Sequence, residues 1–177
     1  MKGWALDRLV FIDESGAKTN MTRFRGRSLR GSRAHDSAPL GRWAVRTMIS
    51  SIRSDGTKAC MTIDSPTDGD VFLAFTEKVL VPSLRPGDIV ILDNLGAHKS
   101  EAVAAQVASA GAMLAHLPAY SPDLNPIEKM WSKIKESLRA AKARTSEALD
   151  AAIAAAFQSV TSQDAVSWFA SCGYTIK

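Results

Sequence analysis

Two aspartates of the sequence have the placement expected of a metal-assisted catalytic site. Asp13 directly follows the apolar residues 9–12, and Asp93 directly follows the apolar residues 89–92. Short apolar runs of this kind are typical of strands buried on both faces of a sheet, where ligands gather at the carboxyl ends of the strands. If the two strands are parallel neighbours, both carboxylates emerge at the same edge.

A third carboxylate, Glu128, lies at the start of a predicted amphipathic helix. Asn125 is a suitable N-cap, Pro126 suits the first helical position, and Glu128 completes a capping-box pattern. Packing ionised carboxylates together is costly unless a cation neutralises them, and Mg2+ prefers all-oxygen sites. Three acids on separate elements would hold two ions about 4 Å apart, the arrangement used for in-line phosphoryl transfer on nucleic acid.

Each of these acids also has a purely structural interpretation. An aspartate at a strand end often begins a turn or caps the next helix, and Glu128 alone can be the second half of a capping box. His98 is then a surface residue, and His116 ends a strand. Spacing and composition by themselves leave these alternatives open.

The remaining pattern predicts the elements that would position the acids. The first strand is predicted to end at Asp13, with Ser15 and Gly16 breaking it and an irregular connection over residues 16–41. Further strands are predicted near residues 43–49, 59–63, 89–92 and 112–117. Five helices are predicted. The first runs from Thr67 or Asp68 to residue 79, the second covers residues 100–110, and the third begins at Asn125. The last two cover residues 145–159 and 163–171. This order predicts a mixed sheet with helices packed on it, the α/β class.

Charge is concentrated in one part of the chain. The net charge is +4, and residues 18–46 hold eight basic side chains against one acid, Asp36. Seven of the eight are arginines, which make forked contacts to phosphate, so a polyanionic partner is favoured. Two distant cysteines and the lack of a long apolar run indicate a soluble protein of a reducing cytoplasm, with no membrane span.

The motifs around the three acids resemble one enzyme family. The matching stretches are residues 9–14, residues 91–99, residues 117–128 with the Lys129-Met130-Trp131 that follows, and residues 17–23 with 25–27. Thirty-four residues separate Asp93 from Glu128. In these stretches the sequence resembles the DDE endonuclease domain of bacterial insertion-sequence transposases of the mariner-like superfamily, the insertion-sequence 630 family and its relatives.

The resemblance implies an RNase H-like fold, with a mixed five-stranded sheet flanked by helices. It implies that Asp13, Asp93 and Glu128 are the catalytic residues and the ligands of two Mg2+ or Mn2+ ions. The neighbouring acids Glu14, Asp64, Asp88 and Asp123 are not ligands in the family motif. The implied reactions are hydrolysis at transposon ends and transesterification of the resulting 3′-hydroxyl into target DNA, usually at a TA step.

The resemblance also implies partners and supporting residues. DNA is the expected partner, as transposon ends and as target, and a homodimer is expected on DNA in a bacterial cytoplasm, at the nucleoid. Asn94, His98 and Asn125 are expected to support the site. The residues expected to contact DNA are Arg23, Arg25, Arg27, Arg30, Lys99, Lys129 and Lys133.

The predicted organisation is a single catalytic domain over residues 1–177, with the basic loop insertion at about 16–41. The N-terminal helix-turn-helix region of complete relatives is expected to be absent, encoded upstream or lost by truncation. The alternative is a catalytically inactive remnant that only binds DNA or dimerises. A phosphatase-type hydrolase with an aspartate nucleophile is a third hypothesis, although no second aspartate follows Asp13 two residues on.

Overall fold

A mixed five-stranded sheet organises the computed structural model, which describes residues 4–93 and 100–174. The strands are β1 (Leu9–Lys18), β2 (Val45–Ile52), β3 (Cys60–Ile63), β4 (Ile89–Leu92) and β5 (Met113–His116). Their order across the sheet is β3-β2-β1-β4-β5. The pairs β1–β2 and β2–β3 are antiparallel, whereas β1–β4 and β4–β5 are parallel. The predicted mixed sheet is confirmed.

Helices cover both faces of this sheet. They are α1 (Gly69–Phe75), α2 (Glu101–Ser109), α3 (Pro126–Ala141), α4 (Ser146–Gln158) and α5 (Ser162–Ser171). Leu9 and Phe11 of β1 pack in a cluster with residues of α3, α4 and α5. The alternate residues Val10 and Ile12 pack in a second cluster with residues of α1 and α2. Because successive strand residues point to opposite faces, the sheet is the middle layer between two helical layers.

The first strand is longer than predicted. Instead of ending at Asp13, β1 continues through Gly16 to Lys18, because it pairs with β2 along residues 11–18. Gly16 lies opposite Thr47 within this ladder and does not break it. The predicted boundary at residue 16 was therefore wrong. The hydrogen bonds of a long antiparallel partner outweigh the weak strand preference of one glycine.

Side-chain caps begin three of the five helices described, and the cap predicted at Asp68 is confirmed. The Asp68 carboxylate accepts the Val71 N–H at 2.9 Å at the start of α1, which continues into a π-helical stretch, Thr76–Leu80. Thr145 caps α4, and Thr161 forms a capping box at the start of α5. The capping box predicted for α3 was wrong, since the Asn125 side chain makes no capping hydrogen bond.

A buried ion pair lies at the end of the sheet away from Asp13. Arg53, directly after β2, donates to both carboxylate oxygens of Asp88, directly before β4, at 3.0 and 2.5 Å. The side chains are 3 % and 0 % exposed. No helix of the described residues has the length and apolar character that a membrane crossing requires.

Candidate active site

Strand register brings the two aspartates together. β1 and β4 pair in parallel with Leu9 opposite Ile89 and Phe11 opposite Ile91. Continuing this register by two residues sets Asp13 opposite Asp93, at the point where β4 ends. Residues 9, 11, 89 and 91 all pack in the cluster that contains α3. Alternation along each strand therefore turns Asp13 and Asp93 toward α3. The two strands are parallel neighbours, which is the condition for both carboxylates to emerge at one edge.

The third acid reaches this edge from α3. The predicted apolar stripe of that helix is buried, with Ile127 and Met130 fully enclosed in the core. Glu128 lies between them in the first turn and is exposed. Asp13, Asp93 and Glu128 line one cavity of about 370 Å³, whose other walls are formed by residues 117–122 and Asn125.

Electrostatics in this cavity oppose the ionisation of Asp13. Its pKa is raised from an ordinary 3.8 to about 7, first by burial and then by the negative charges of Glu128, Glu14 and Asp93. A hydrogen bond from the Glu14 backbone N–H acts in the opposite direction. A cation placed among these carboxylates would offset both the burial and the repulsion between negative charges, so the donor set suits a hard divalent ion.

Across residues 4–93 and 100–174, no cluster of three or more His, Cys, Asp or Glu side chains has the geometry of an assembled metal site. Glu128 is exposed, whereas Asp13 and Asp93 are partly buried at the edge of the sheet.

A tryptophan that the sequence pattern placed only in the core also contacts this site. Trp131 is 2 % exposed, and its indole Nε1 donates to Asp13 Oδ2 at 3.1 Å. Its ring packs edge-on against Phe157, with 5.9 Å between ring centroids. The signal in the sequence was spacing, because residues 128 and 131 are one helical turn apart and share a face.

Two further residues of the cavity have unusual environments. Asn125 is 4 % exposed, and its side-chain oxygen has no hydrogen-bond partner in the described structure. Tyr120 is fully exposed and has a φ of 57°, in the left-handed region that side chains other than glycine rarely adopt. Both lie in the loop between β5 and α3.

The basic segment, residues 18–46, contacts the helices on the Asp13 side of the sheet. Arg139 of α3 sits over the ring of Phe24 at 4.4 Å, and Arg144 donates to the Thr19 and Met21 carbonyls at 2.8 and 2.9 Å. Lys142 pairs with Asp36 at 2.5 Å. The four arginines predicted to contact DNA, Arg23, Arg25, Arg27 and Arg30, are all exposed.

The other predicted site residues differ in their availability. Lys129 is exposed beside Glu128, whereas Lys133 donates to Asp164 at 2.5 Å and to the Ser159 carbonyl at 3.0 Å. Asn94, His98 and Lys99 lie outside the described residues.

The four acids that the family motif does not use as ligands do not line the cavity of the candidate site. Asp64 pairs with Arg46 at 2.8 Å, and Asp88 pairs with Arg53. Glu14 follows Asp13 in β1 and faces the opposite side of the sheet. Asp123 belongs to the short 3-10 turn Pro122–Leu124.

Strand order and helix placement define an RNase H-like fold, and Asp13, Asp93 and Glu128 line one cavity of it. A family model described as DDE superfamily endonuclease matches residues 8–150, and the chain belongs to this family. This confirms the predicted DDE endonuclease domain. No curated protein sequence matches the chain.

Solved structures of the Mos1 transposase share the fold. The chain superposes on the Mos1 strand transfer complex with a TM-score of 0.70 at 18 % identity, covering 93 % of this chain and 51 % of that one. The Mos1 paired-end complex with Mg superposes with a TM-score of 0.68 at 19 % identity, covering 95 % of this chain and 52 % of that one. The catalytic domain of Mos1 mariner transposase superposes with a TM-score of 0.62 at 15 % identity, covering 97 % of this chain and 85 % of that one. The chain thus spans about half the length of the Mos1 chains in the complexes and most of their catalytic domain.

Proposed function

We propose that this chain is the catalytic domain of a DNA transposase, which cleaves DNA strands by hydrolysis and joins 3′-hydroxyl ends to target DNA with divalent metal ions. The observation that carries the proposal is the meeting of Asp13, Asp93 and Glu128 in one cavity, although they come from three separate elements. The raised pKa of Asp13 supports it, since such a site gains most from a bound cation. Family membership points to the same reaction class.

The three carboxylates would hold two Mg2+ or Mn2+ ions, whose chemistry when bound is to activate the attacking oxygen and stabilise the leaving one. Asp13 and Asp93 offer oxygens from the rigid sheet edge, and Glu128 closes on them from α3. Trp131 keeps the Asp13 carboxylate oriented through its indole N–H. Solved Mos1 paired-end complexes with Mn and with Mg support the choice of ions.

The proposed reaction has two steps, hydrolysis of a DNA strand and joining of its 3′-end to target DNA. In hydrolysis, the oxygen of water bonds to phosphorus and the bond from phosphorus to the 3′-oxygen breaks. In joining, that 3′-hydroxyl bonds to phosphorus in the target strand and displaces its 3′-oxygen. In both steps the attacking group loses a proton to solvent, and the leaving oxygen takes one up.

DNA is the proposed partner, bound through phosphates by Arg23, Arg25, Arg27, Arg30 and Lys129. All five side chains are exposed, and Arg23 and Arg25 lie beside residues of α3. Lys133 is left out of this surface because it is already paired with Asp164. The Mos1 complexes contain transposon ends, which supports the same partner here. A homodimer on DNA and a helix-turn-helix half that reads the transposon ends complete the proposal.

A single domain over residues 1–177 is consistent with the two hydrophobic clusters, which share one sheet. The bacterial insertion-sequence origin remains a prediction based on the motifs.

Nicking of supercoiled plasmid tests the proposed activity. The wild-type chain with Mg2+ or Mn2+ is expected to convert plasmid to the nicked form, and Asp93→Asn to abolish nicking. Asp123→Asn is the matched control, because it removes an exposed acid of the same motif without touching the three carboxylates. Nicking that survives Asp93→Asn would refute the proposed site.

The exposed side chains of Arg23, Arg25, Arg27 and Arg30 also fit the second candidate, a remnant that binds DNA without cleaving it. It predicts DNA binding that Asp93→Asn leaves unchanged, with no nicking by any variant, even when a DNA-reading half is supplied.

A further inference from the structure

Asn125 is a buried polar residue whose side-chain oxygen is unsatisfied in the described part of the chain. It is 4 % exposed, and its side-chain oxygen accepts no hydrogen bond there. Leaving a buried carbonyl oxygen unsatisfied costs about 1–3 kcal/mol. Such a cost is tolerated at positions where a ligand supplies the missing donor.

The local backbone explains why the side chain is not used as a cap. Asn125 has φ −107° and ψ 100°, and its main-chain oxygen accepts the Glu128 N–H at 3.2 Å. The backbone therefore satisfies the amide that an asparagine N-cap would ordinarily bind through its side chain. Pro126 has no N–H to offer. Asn125 is part of the wall of the cavity that Asp13, Asp93 and Glu128 line, and its side-chain oxygen is buried there without a hydrogen-bond partner.

Three carboxylates line the cavity together with Asn125. Carboxylates supply the negative charge that a cation needs, whereas a neutral amide oxygen adds none. What the amide oxygen can do is accept a hydrogen bond from an O–H group. In a site for phosphodiester cleavage and joining, the O–H groups that enter are those of the attacking water and of the DNA 3′-terminus.

We propose that the side-chain oxygen of Asn125 accepts a hydrogen bond from the attacking hydroxyl group, water in hydrolysis and the 3′-hydroxyl of DNA in joining. This inference rests on the proposed function. The amide is too weak a base to take the proton, so it orients the O–H and leaves an oxygen lone pair directed at phosphorus. The proton passes to solvent, the oxygen–phosphorus bond forms, and the leaving 3′-oxygen takes up a proton.

The test compares the binding of two DNA duplexes that differ in one atom. One ends in a 3′-hydroxyl and the other in a 3′-deoxy terminus, and affinity is measured with Ca2+ by fluorescence anisotropy. The wild-type chain is expected to bind the 3′-hydroxyl duplex about fivefold more tightly, the ratio that one ordinary hydrogen bond gives. Asn125→Leu, which keeps the size of the side chain, is expected to bind both duplexes equally and to nick plasmid at least tenfold more slowly.

Two controls separate this role from a structural one. Ser121→Ala changes another polar residue of the cavity, whose hydroxyl already donates to the Ala119 carbonyl, and should keep the fivefold preference. Asn125→Leu should leave the melting temperature unchanged or raised, because it removes an unsatisfied buried acceptor. If Asn125→Leu unfolds, Asn125→Asp retains an oxygen at the same position and should keep the preference.

Three outcomes would overturn the inference or its basis, and they are distinguishable. A preference for the 3′-hydroxyl duplex that survives in Asn125→Leu would rule out the proposed hydrogen bond. A tenfold loss of Mn2+ affinity in Asn125→Leu, measured by calorimetric titration, would make Asn125 a metal ligand instead. A wild-type chain that neither nicks plasmid nor prefers the 3′-hydroxyl would refute the proposed function itself.

Discussion

The indole nitrogen of Trp131 donates a hydrogen bond to the carboxylate of Asp13 at 3.1 Å, across 118 residues of sequence. The contact joins the middle strand of the sheet to the helix that carries Glu128. Trp131 is held in place by burial and by the ring of Phe157, so it can fix the direction of the Asp13 carboxylate. A core residue thereby positions a residue of the candidate site.

Replacing Trp131 by phenylalanine should affect both stability and pH dependence. The variant loses the hydrogen bond and part of the ring, which should lower the free energy of unfolding by about 2 kcal/mol. Losing a donor to the charged form should raise the pKa of Asp13 further, so the pH profile of nicking should move to higher pH. Trp168→Phe is the matched control, because that half-buried residue lies on α5. A pH profile unchanged in Trp131→Phe would argue against the positioning role.

The raised pKa of Asp13 gives a pH-dependent stability without metal. The folded state binds the proton up to about pH 7, whereas the unfolded chain releases it near 3.8. Stability contributed by the protonated group is therefore fully present below about pH 4, declines as pH rises to 7, and stays lost above it.

Asp13→Asn removes this titration. At pH 8 the variant should be more stable than the wild type by about 4 kcal/mol, and the difference should vanish near pH 4. Urea unfolding at both pH values measures it. Adding Mg2+ should stabilise the wild type and leave Asp13→Asn almost unchanged. Equal stability of both proteins at pH 8 would mean that Asp13 is not destabilised by its surroundings.

The Arg53–Asp88 pair should matter for folding and not for metal binding. Arg53→Met leaves a buried carboxylate without its partner, which should cost about 3–5 kcal/mol of stability. Burial acts to raise the pKa of Asp88, but hydrogen bonds from Arg53 and from the Arg85 backbone N–H outweigh it and lower the pKa.

The sign of the pH effect follows from that lowered pKa. The stabilisation by the pair is present above the unfolded value of 3.8 and is lost as pH falls through the lower folded pKa. The cost of Arg53→Met should therefore shrink in acid. Lys142→Met, which breaks the half-exposed pair with Asp36, should cost below about 1 kcal/mol and serves as the control. Comparable costs for both variants in chemical unfolding at pH 7 would contradict the prediction.

Phosphate contacts by the basic segment can be counted from salt dependence. Changing Arg23, Arg25, Arg27 and Arg30 together to glutamine should reduce the slope of log affinity against log salt by about 3 to 4, because each phosphate contact contributes roughly 0.9. The measurement is anisotropy with a duplex over a range of NaCl concentrations. Lys78→Gln with Arg85→Gln, both exposed and outside this segment, should change the slope little. An unaltered slope in the quadruple variant would assign DNA binding to other residues.

Local patterns in the sequence predicted much of the fold. The apolar residues 89–92 form the fully buried β4, and the stripe from Ile127 to Leu138 is the buried face of α3. These patterns are local because burial on both faces, or on one helical face, constrains consecutive side chains. Asp93 and Glu128 stand at the end or start of such an element, whereas Asp13 follows the apolar residues 9–12 but lies within β1.

Other features depended on partners distant in sequence. The sequence predicts that Gly16 breaks the strand, but pairing with β2 keeps it in the ladder. The sequence also predicts that the Asn125 side chain caps α3, but the main-chain oxygen of Asn125 accepts the Glu128 N–H instead. Trp131 reads as a core residue until the sheet brings Asp13 within hydrogen-bond distance.

The sequence by itself determined which residues are apolar, which are acidic and where helices and strands begin. Only the tertiary structure decided that Asp13 and Asp93 share an edge, because strand order and register depend on pairing between segments far apart in the chain. It also decided the pKa of Asp13, because burial and neighbouring charges exist only after packing.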